Sequence, residues 1–236
     1  MIKLVCFVHR HPDLSPEAFE RHWAERHGPL IEGISSLRDR VVRYEQNHRL
    51  PSDRARDEDF DGATIMWFES LADYEAFAMD PLYASEVAPD EARFMDRSRT
   101  TFFFTEDAET KIGDEASRAA AGVKLLALLK RRADRSPAEF HNHWSGPHAA
   151  LFVETPSLRD TILAYDQSHR RLEDYARDPD TPWDGLAEQW YASLDDFASG
   201  AAGPAFDEIV VPDEERFMDR AATRFILCSP PKTVFG

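Results

Sequence analysis

Apolar positions along this chain change their spacing in a fixed order, and the order occurs twice. Residues 2–9 and 123–130 are short, almost unbroken apolar runs rich in Val, Leu and Phe, which suits a strand covered on both faces. Phe19, Trp23, His27 and Leu30 then recur at helical spacing behind Ser15-Pro16, a good N-cap with proline at the first helical position. Phe140, Trp144, His148 and Leu151 do the same behind Ser136-Pro137. The stretches 40–49 and 161–170 alternate with period two, and 63–69 and 186–192, each after an Asp-Gly turn signal, read as further strands. A second helix is predicted over 70–79 and 193–199, and a last strand over 100–105 closes the first copy. The order is β-α-β-β-α-β, the ferredoxin-like arrangement.

Sliding the chain by 121 positions aligns residues 2–49 with 123–170 without a gap, and 19 of the 48 pairs are identical, too many for chance over that length. After a two-residue length difference the offset becomes 123, matching Asp61-Gly62, Trp67 and Ser70-Leu71 with Asp184-Gly185, Trp190 and Ser193-Leu194. The predicted organisation is therefore α+β, with one module over 1–107, an acidic, alanine-rich linker over 108–121, and a second module over 122–236. A four-stranded antiparallel sheet with helices on one side leaves its other face open, and the second copy is the expected cover. The two sheets are thus expected to pack into one intramolecular α/β barrel, a pseudo-dimer in one chain, with further homodimerisation left open.

Each copy carries F-x-x-H-W-x-x-x-H (Phe19 to His27, Phe140 to His148) and Y-x-Q-x-H (Tyr44 to His48, Tyr165 to His169). Each also carries D-G before a Trp-aromatic pair, and R-F-M-D-R before the last strand. Together these resemble the EthD family over nearly the whole of both modules. The resemblance implies a relative of the dimeric α/β-barrel proteins in which two units, normally on separate chains, are fused. It also implies a function among accessory proteins of degradation pathways and decarboxylases or oxygenases of aromatic polyketide intermediates, with cofactor-free monooxygenases, lactone isomerases and haem proteins in the wider superfamily. Fold alone does not choose among these.

Composition narrows the partners. A net charge of -16 with no Lys/Arg-rich run disfavours nucleic acid. No apolar run is long enough to span a membrane, so a cytoplasmic location is expected by default. Cys6 and Cys228 sit in apolar strand-like runs and suggest small hydrophobes rather than a disulfide. No C-x-x-C, G-x-G-x-x-G, P-loop, H-E-x-x-H or G-x-S-x-G occurs, so no metal site and no nucleotide or flavin cofactor is expected. Haem held by one lumenal His stays as a minor alternative.

Candidate chemistry then rests on polar groups aimed inward. His27 and His148 share the apolar helix face with Trp23 and Trp144, and are read either as general bases or as caps of the helix C-terminus. Tyr44, Gln46 and His48, with Tyr165, Gln167 and His169, each form a row on one strand face. These rows are assigned to the barrel lumen, to bind a carbonyl or phenolate and move a proton; a polar network joining the sheets is the alternative. Trp67 and Trp190, with Trp23 and Trp144, are expected as apolar substrate-binding walls, and Glu188 as a lumenal carboxylate raised by burial, unless it is solvated at the rim. His22 and His143 are read as surface or packing groups, and Arg93, Asp96 and Arg97, with their repeats, as a structural ion-pair cluster. The expected function is cofactor-independent proton-transfer chemistry (oxygenation, decarboxylation or dehydration) on a hydrophobic, aromatic or polyketide-like molecule. The alternatives are a non-catalytic binding protein or a haem protein.

Overall fold

The computed structural model describes residues 1–55, 60–201 and 203–236 and divides into two compact units. The first comprises Met1–Phe104 and Pro231–Gly236, and the second Thr105–Pro230. Among the described residues ten strands are formed. Those of the first copy are β1 (Ile2–Val8), β2 (Arg43–His48), β3 (Gly62–Phe68) and β4 (Thr101–Thr105), followed by β5 (Glu109–Ile112). Those of the second are β6 (Val123–Leu129), β7 (Ala164–His169), β8 (Gly185–Tyr191) and β9 (Arg224–Cys228), followed by β10 (Lys232–Phe235).

The first sheet runs β10-β2-β3-β1-β4 and the second β5-β7-β8-β6-β9. The four strands of each copy thus take the expected ferredoxin-like order, and an extra strand caps one edge. That strand follows the other copy in the sequence: β10, beyond the end of the second copy, pairs with β2, while β5 pairs with β7. With β2 and β7 capped in this way, the strands form two separate sheets and do not close into the single barrel expected from the repeat. The segment 108–121, read as a linker, holds β5 and a short helix Glu115–Ala119 that Asp114 caps by accepting from the Ser117 N–H.

Helices cover one face of each sheet. The first rod begins behind Ser15, whose hydroxyl accepts from the Ala18 N–H, and runs as α-helix over Pro16–His22. It widens into a π turn over Trp23–His27 and resumes as α-helix over Gly28–Gly33. A second rod beyond Leu71–Ala78 repeats the pattern, with a π turn Tyr83–Val87 and a helix Ala88–Phe94. The other copy shows the same widening at Trp144–His148 and Phe206–Val210. Proline explains the location: Pro29, Pro89, Pro147 and Pro212 lie in or just after these turns. Each lacks an N–H and crowds the carbonyl four residues back, which opens the ladder.

Between the sheet and rods of the first unit lie Leu4, Ile31, Tyr44, Met66, Phe68 and Phe77, with Phe19, Trp23 and Phe94 at one end. Burial of each large ring contributes about 1.5–3 kcal/mol. The Asp-Gly pairs do more than turn the chain. A Cβ on Gly62 would stand 2.6 Å from the Trp23 ring, and one on Gly185 2.4 Å from the Trp144 ring, so each glycine is the seat of its tryptophan. Asp61 and Asp184 accept the backbone N–H of Arg10 and Arg131, both at 2.9 Å, tying β3 and β8 to the loops that precede the first rods.

Candidate functional site

Strand register divides the sequence candidates between two faces. Tyr44, Gln46 and His48 oppose Met66, Thr64 and Gly62, while Trp67 pairs with Lys3 and Arg43 on the other face. In the second unit Tyr165, Gln167 and His169 are likewise separated from Glu188 and Trp190. The two groups therefore do not share one lumen. The Tyr-Gln-His row, assigned to the lumen, faces the helices instead: the Gln46 amide donates to the carbonyl of Trp23 at 2.9 Å, and Gln167 donates to that of Trp144 at 3.0 Å. A polar row is accommodated there because the π turns give it backbone acceptors inside the helical layer.

On the far face, Glu188 is not a lone carboxylate. It is buried and takes the Lys124 ammonium at 2.9 Å, so it is neither unpaired nor solvated at a rim. A buried charge persists when so paired. Trp190 and Trp67, expected as apolar walls, each lie beneath a lysine: Lys124 Nζ is 4.7 Å from one ring centroid and Lys3 Nζ 5.2 Å from the other. Neither lysine stood out in the sequence, where each reads as one polar residue in an apolar run.

His48 is bound to Glu20 at 2.7 Å, and Glu20 in turn takes Arg54 at 2.8 Å. In the second unit His141 stands where Glu20 is, and its Nδ1 lies 2.8 Å from Nδ1 of His169. These two histidines of the Tyr-Gln-His rows thus belong to side-chain networks under the first rods, and His48 does not line the cavity described next.

The first unit encloses a cavity of about 340 Å³ between sheet and helices, a size suited to a small organic molecule. Three of the sequence candidates line it: Trp23, His27 and Tyr44. Its remaining wall is mostly apolar and aromatic, including Ile31, Met66, Phe77 and Phe94. Tyr83, Glu91 and Arg97 add polarity, the phenol donating to Glu91 at 2.7 Å and Glu91 pairing with Arg97 Nε at 3.4 Å. The R-F-M-D-R segment is therefore not a self-contained ion-pair cluster. Arg97 turns to the cavity, Arg93 approaches Asp90 at 3.8 Å, and Asp96 accepts from Ser98.

His27 does not cap a helix end, since the rod continues to Gly33. Its Nδ1 lies 3.0 Å from Asp90, and His22 Nε2 lies 2.8 Å from the other oxygen of the same carboxylate. His22, read as a packing group, is thus half of a His–Asp–His cluster. Burial alone would raise the Asp90 carboxyl, but the bonds to His27 and His22 outweigh it and hold the group below the usual carboxylate range. An ionised Asp90 can only accept, so both rings donate to it. His27 then carries its hydrogen on Nδ1 and has Nε2 as its remaining, basic nitrogen. The Tyr44 hydroxyl, on the same cavity's wall, accepts from Gln46 at 3.0 Å. Burial pushes the phenol up to about 12, so it stays protonated and can donate. The Cys6 thiol, also in the wall, is pushed up to about 12 by burial and is no nucleophile near neutral pH.

The second unit repeats the cluster, with Asp213 at 2.9 Å from both His143 and His148. Burial lowers the His148 imidazole further than Asp213 can restore it. The surroundings differ. Phe152, in place of Ile31, sets its ring 5.4 Å from His148 and 5.3 Å from Tyr165, and Phe206 replaces Tyr83. Asp90 and Asp213 were missed in the sequence because they lie 63 and 65 positions from their imidazoles. The available signal was the repetition of Pro-Asp-Glu at 89–91 and 212–214. Among the described residues no group of three His, Cys, Asp or Glu could hold a metal ion, and no helix is long and apolar enough to cross a membrane.

Comparison with known proteins agrees with this architecture. The EthD domain matches twice, over residues 11–98 and 132–221. The conidial pigment biosynthesis dehydratase EthD of Metarhizium robertsii is 26% identical over 112 residues, which are 43% of this chain and 78% of that protein. The dehydratase aurZ of Gibberella zeae is 25% identical over 112 residues, 42% of this chain and 73% of its own. Among solved structures, an anthrone oxidase-like protein matches 100% of this chain and 93% of its own with a TM-score of 0.67 at 9% identity. A monooxygenase-like protein of Lactobacillus acidophilus matches 99% and 94%, with a TM-score of 0.54 at 8% identity. Likeness at such low identity speaks to fold alone. With two matches that together span most of its length, the chain belongs to the EthD family.

Proposed function

We propose that the chain is a cofactor-independent dehydratase acting on a hydroxylated, partly aromatic ketone of polyketide type, held in the cavity of the first unit. The observation that carries this reading is that one cavity is lined both by the His27 imidazole, oriented by an ionised Asp90, and by a protonated Tyr44 phenol. Its EthD-family relatives that bear the name dehydratase support the choice of reaction.

The chemistry uses three side chains. Tyr44 keeps its proton and donates a hydrogen bond to the ketone oxygen, and His27 Nε2 removes a proton from the adjacent carbon to give an enolate held by that bond. The electron pair then forms the new double bond as the β carbon–oxygen bond breaks. The departing hydroxyl takes the proton back from the imidazolium, leaving as water with the base restored. Asp90 stays ionised and stabilises the transient imidazolium. The aromatic wall, with Trp23 and Phe94, accepts a flat ring system and excludes water.

A simple test uses 3-hydroxy-1-tetralone, whose dehydration gives 1-naphthol and a new absorbance band. Loss of the His27 base in His27→Ala is expected to lower turnover at least about 100-fold, and Asp90→Asn to lower it strongly too. The matching His148→Ala leaves it near the parent rate, because its change lies in the other unit. Unchanged turnover in His27→Ala would sink the proposal. Tight binding of the tetralone without turnover would replace it by the accessory-protein reading, and a Soret band on adding haemin by the haem reading.

A further inference from the structure

Among its described residues the cavity wall holds one cation and one carboxylate, and their arrangement bears on what the ligand looks like. This inference rests on the cavity of the first unit being the binding site. Among the described residues that line it, Arg97 is the only Lys or Arg and Glu91 the only acidic one. Glu91 is tethered at both oxygens: Tyr83 donates to Oε1 at 2.7 Å, and Arg97 Nε approaches Oε2 at 3.4 Å. The Glu91 side chain is 12% exposed and that of Arg97 52%, so the carboxylate lies inside and the guanidinium at the mouth. Phe102, 48% exposed, also lines the wall, so the exposed part of the lining includes a cation and an aromatic ring.

A guanidinium held through Nε keeps its two terminal nitrogens as a donor fork, which fits two oxygens of one acidic group. Around it the chain carries a net charge of -16, so an arginine left half open at a hydrophobic mouth is not explained by surface composition. Tyr83 sets the direction of Glu91 and thereby of Arg97, making it a positioning residue. The second unit keeps the pair, Glu214 with Arg220 at 2.8 Å, but has Phe206 in place of the phenol.

We propose that Arg97 is the specificity-determining anchor of the cavity and selects flat aromatic ligands that carry an acidic oxygen group, a carboxylate or an acidic enol, at one end. The ring enters the aromatic interior and the acidic group stays at the mouth against the Arg97 fork.

Two probes of the same shape and different charge test this: 1-naphthoate and neutral 1-naphthamide, titrated into the full chain by calorimetry. The parent protein is expected to bind the naphthoate at least about tenfold more tightly, as a charge-assisted bidentate contact allows. Arg97→Gln removes that preference while leaving naphthamide affinity in place, and Arg220→Gln in the second unit changes neither. In Tyr83→Phe naphthoate weakens and naphthamide does not, separating a positioning role from a packing one. Equal affinities in the parent protein, or a preference that survives Arg97→Gln, overturn the anchor and leave the cavity reading standing. If neither probe binds, the cavity reading falls and the anchor with it.

Discussion

Asp90 shows how much one side chain organises here. Its carboxylate holds His22 and His27 at once, on a rod whose π turn swings His27 toward the second rod. The pieces legible in the sequence were those on one element: Trp23 and His27 share a helical face, and Tyr44 lies on a strand with clear alternation. Asp90 was hidden because no local period links it to His27. The pairing of Glu188 is hidden for a related reason, since its partner Lys124 lies on another strand in a run that otherwise reads as apolar. A further residue-scale consequence concerns Gly62 and Gly185, where no positive φ is involved and contact alone decides. A methyl at Gly62 would also meet the Asn47 carbonyl oxygen at 2.7 Å, so Trp23 cannot relieve the clash by moving by itself. Gly62→Ala and Gly185→Ala are each expected to cost about 1–3 kcal/mol of stability, read as a lower midpoint in urea unfolding; an unchanged midpoint would show that the tryptophans are not seated as described.

The rods and the β2 and β7 rows form matching networks with different charges. In the first unit His48, Glu20, Arg54 and Asp61 alternate acid and base, while in the second the chain is His169, His141, Tyr175 and Asp184. Glu109 and Lys111 of β5 flank His169, and Arg131 and Arg170 lie near His141. Burial lowers both imidazoles from 6.5 to about 4, with the neighbouring ring adding to the effect at His169. The folded pair therefore stays neutral as pH falls, while the unfolded chain begins to take up protons near 6.5. Stability of the second unit is lost across the window from about 6.5 down to about 4 and levels off below it. Melting scans at about pH 7 and about pH 5 are expected to show that drop, and His141→Gln to shrink it; an equal drop in the variant would assign it to other groups. The first rods, the helices Leu71–Ala78 and Leu194–Ala201 and seven of the strands were readable from the sequence pattern. The helices ending at Phe94 and Phe217 were not, because Pro89 and Pro212 interrupt their pattern, and β5 and β10 are four-residue strands too short to alternate visibly.

At the scale of the whole chain, the repeat visible in the sequence and the units of the structure do not share boundaries. Duplication made two copies in series, yet six residues beyond the second copy complete the sheet of the first unit. Those residues are placed against the candidate site. Val234 lies against Gly28 and Gln46 at the π turn, Phe235 stands 5.9 Å from the Tyr44 ring, and the Lys232 ammonium donates to the Ala24 carbonyl at 2.7 Å. Removing 231–236 would leave β2 as an unpaired edge and strip an apolar cover from Tyr44. The second unit would keep all five of its own strands. The deletion is therefore expected to loosen the first unit, although the lost residues follow the second copy in sequence. Limited proteolysis with mass spectrometry would show this as early cuts within residues 1–104 and a weakened affinity for 1-naphthol. A truncated chain first cut within 105–230, with naphthol binding intact, would mean that β10 is dispensable and that the cavity is held by its own copy alone.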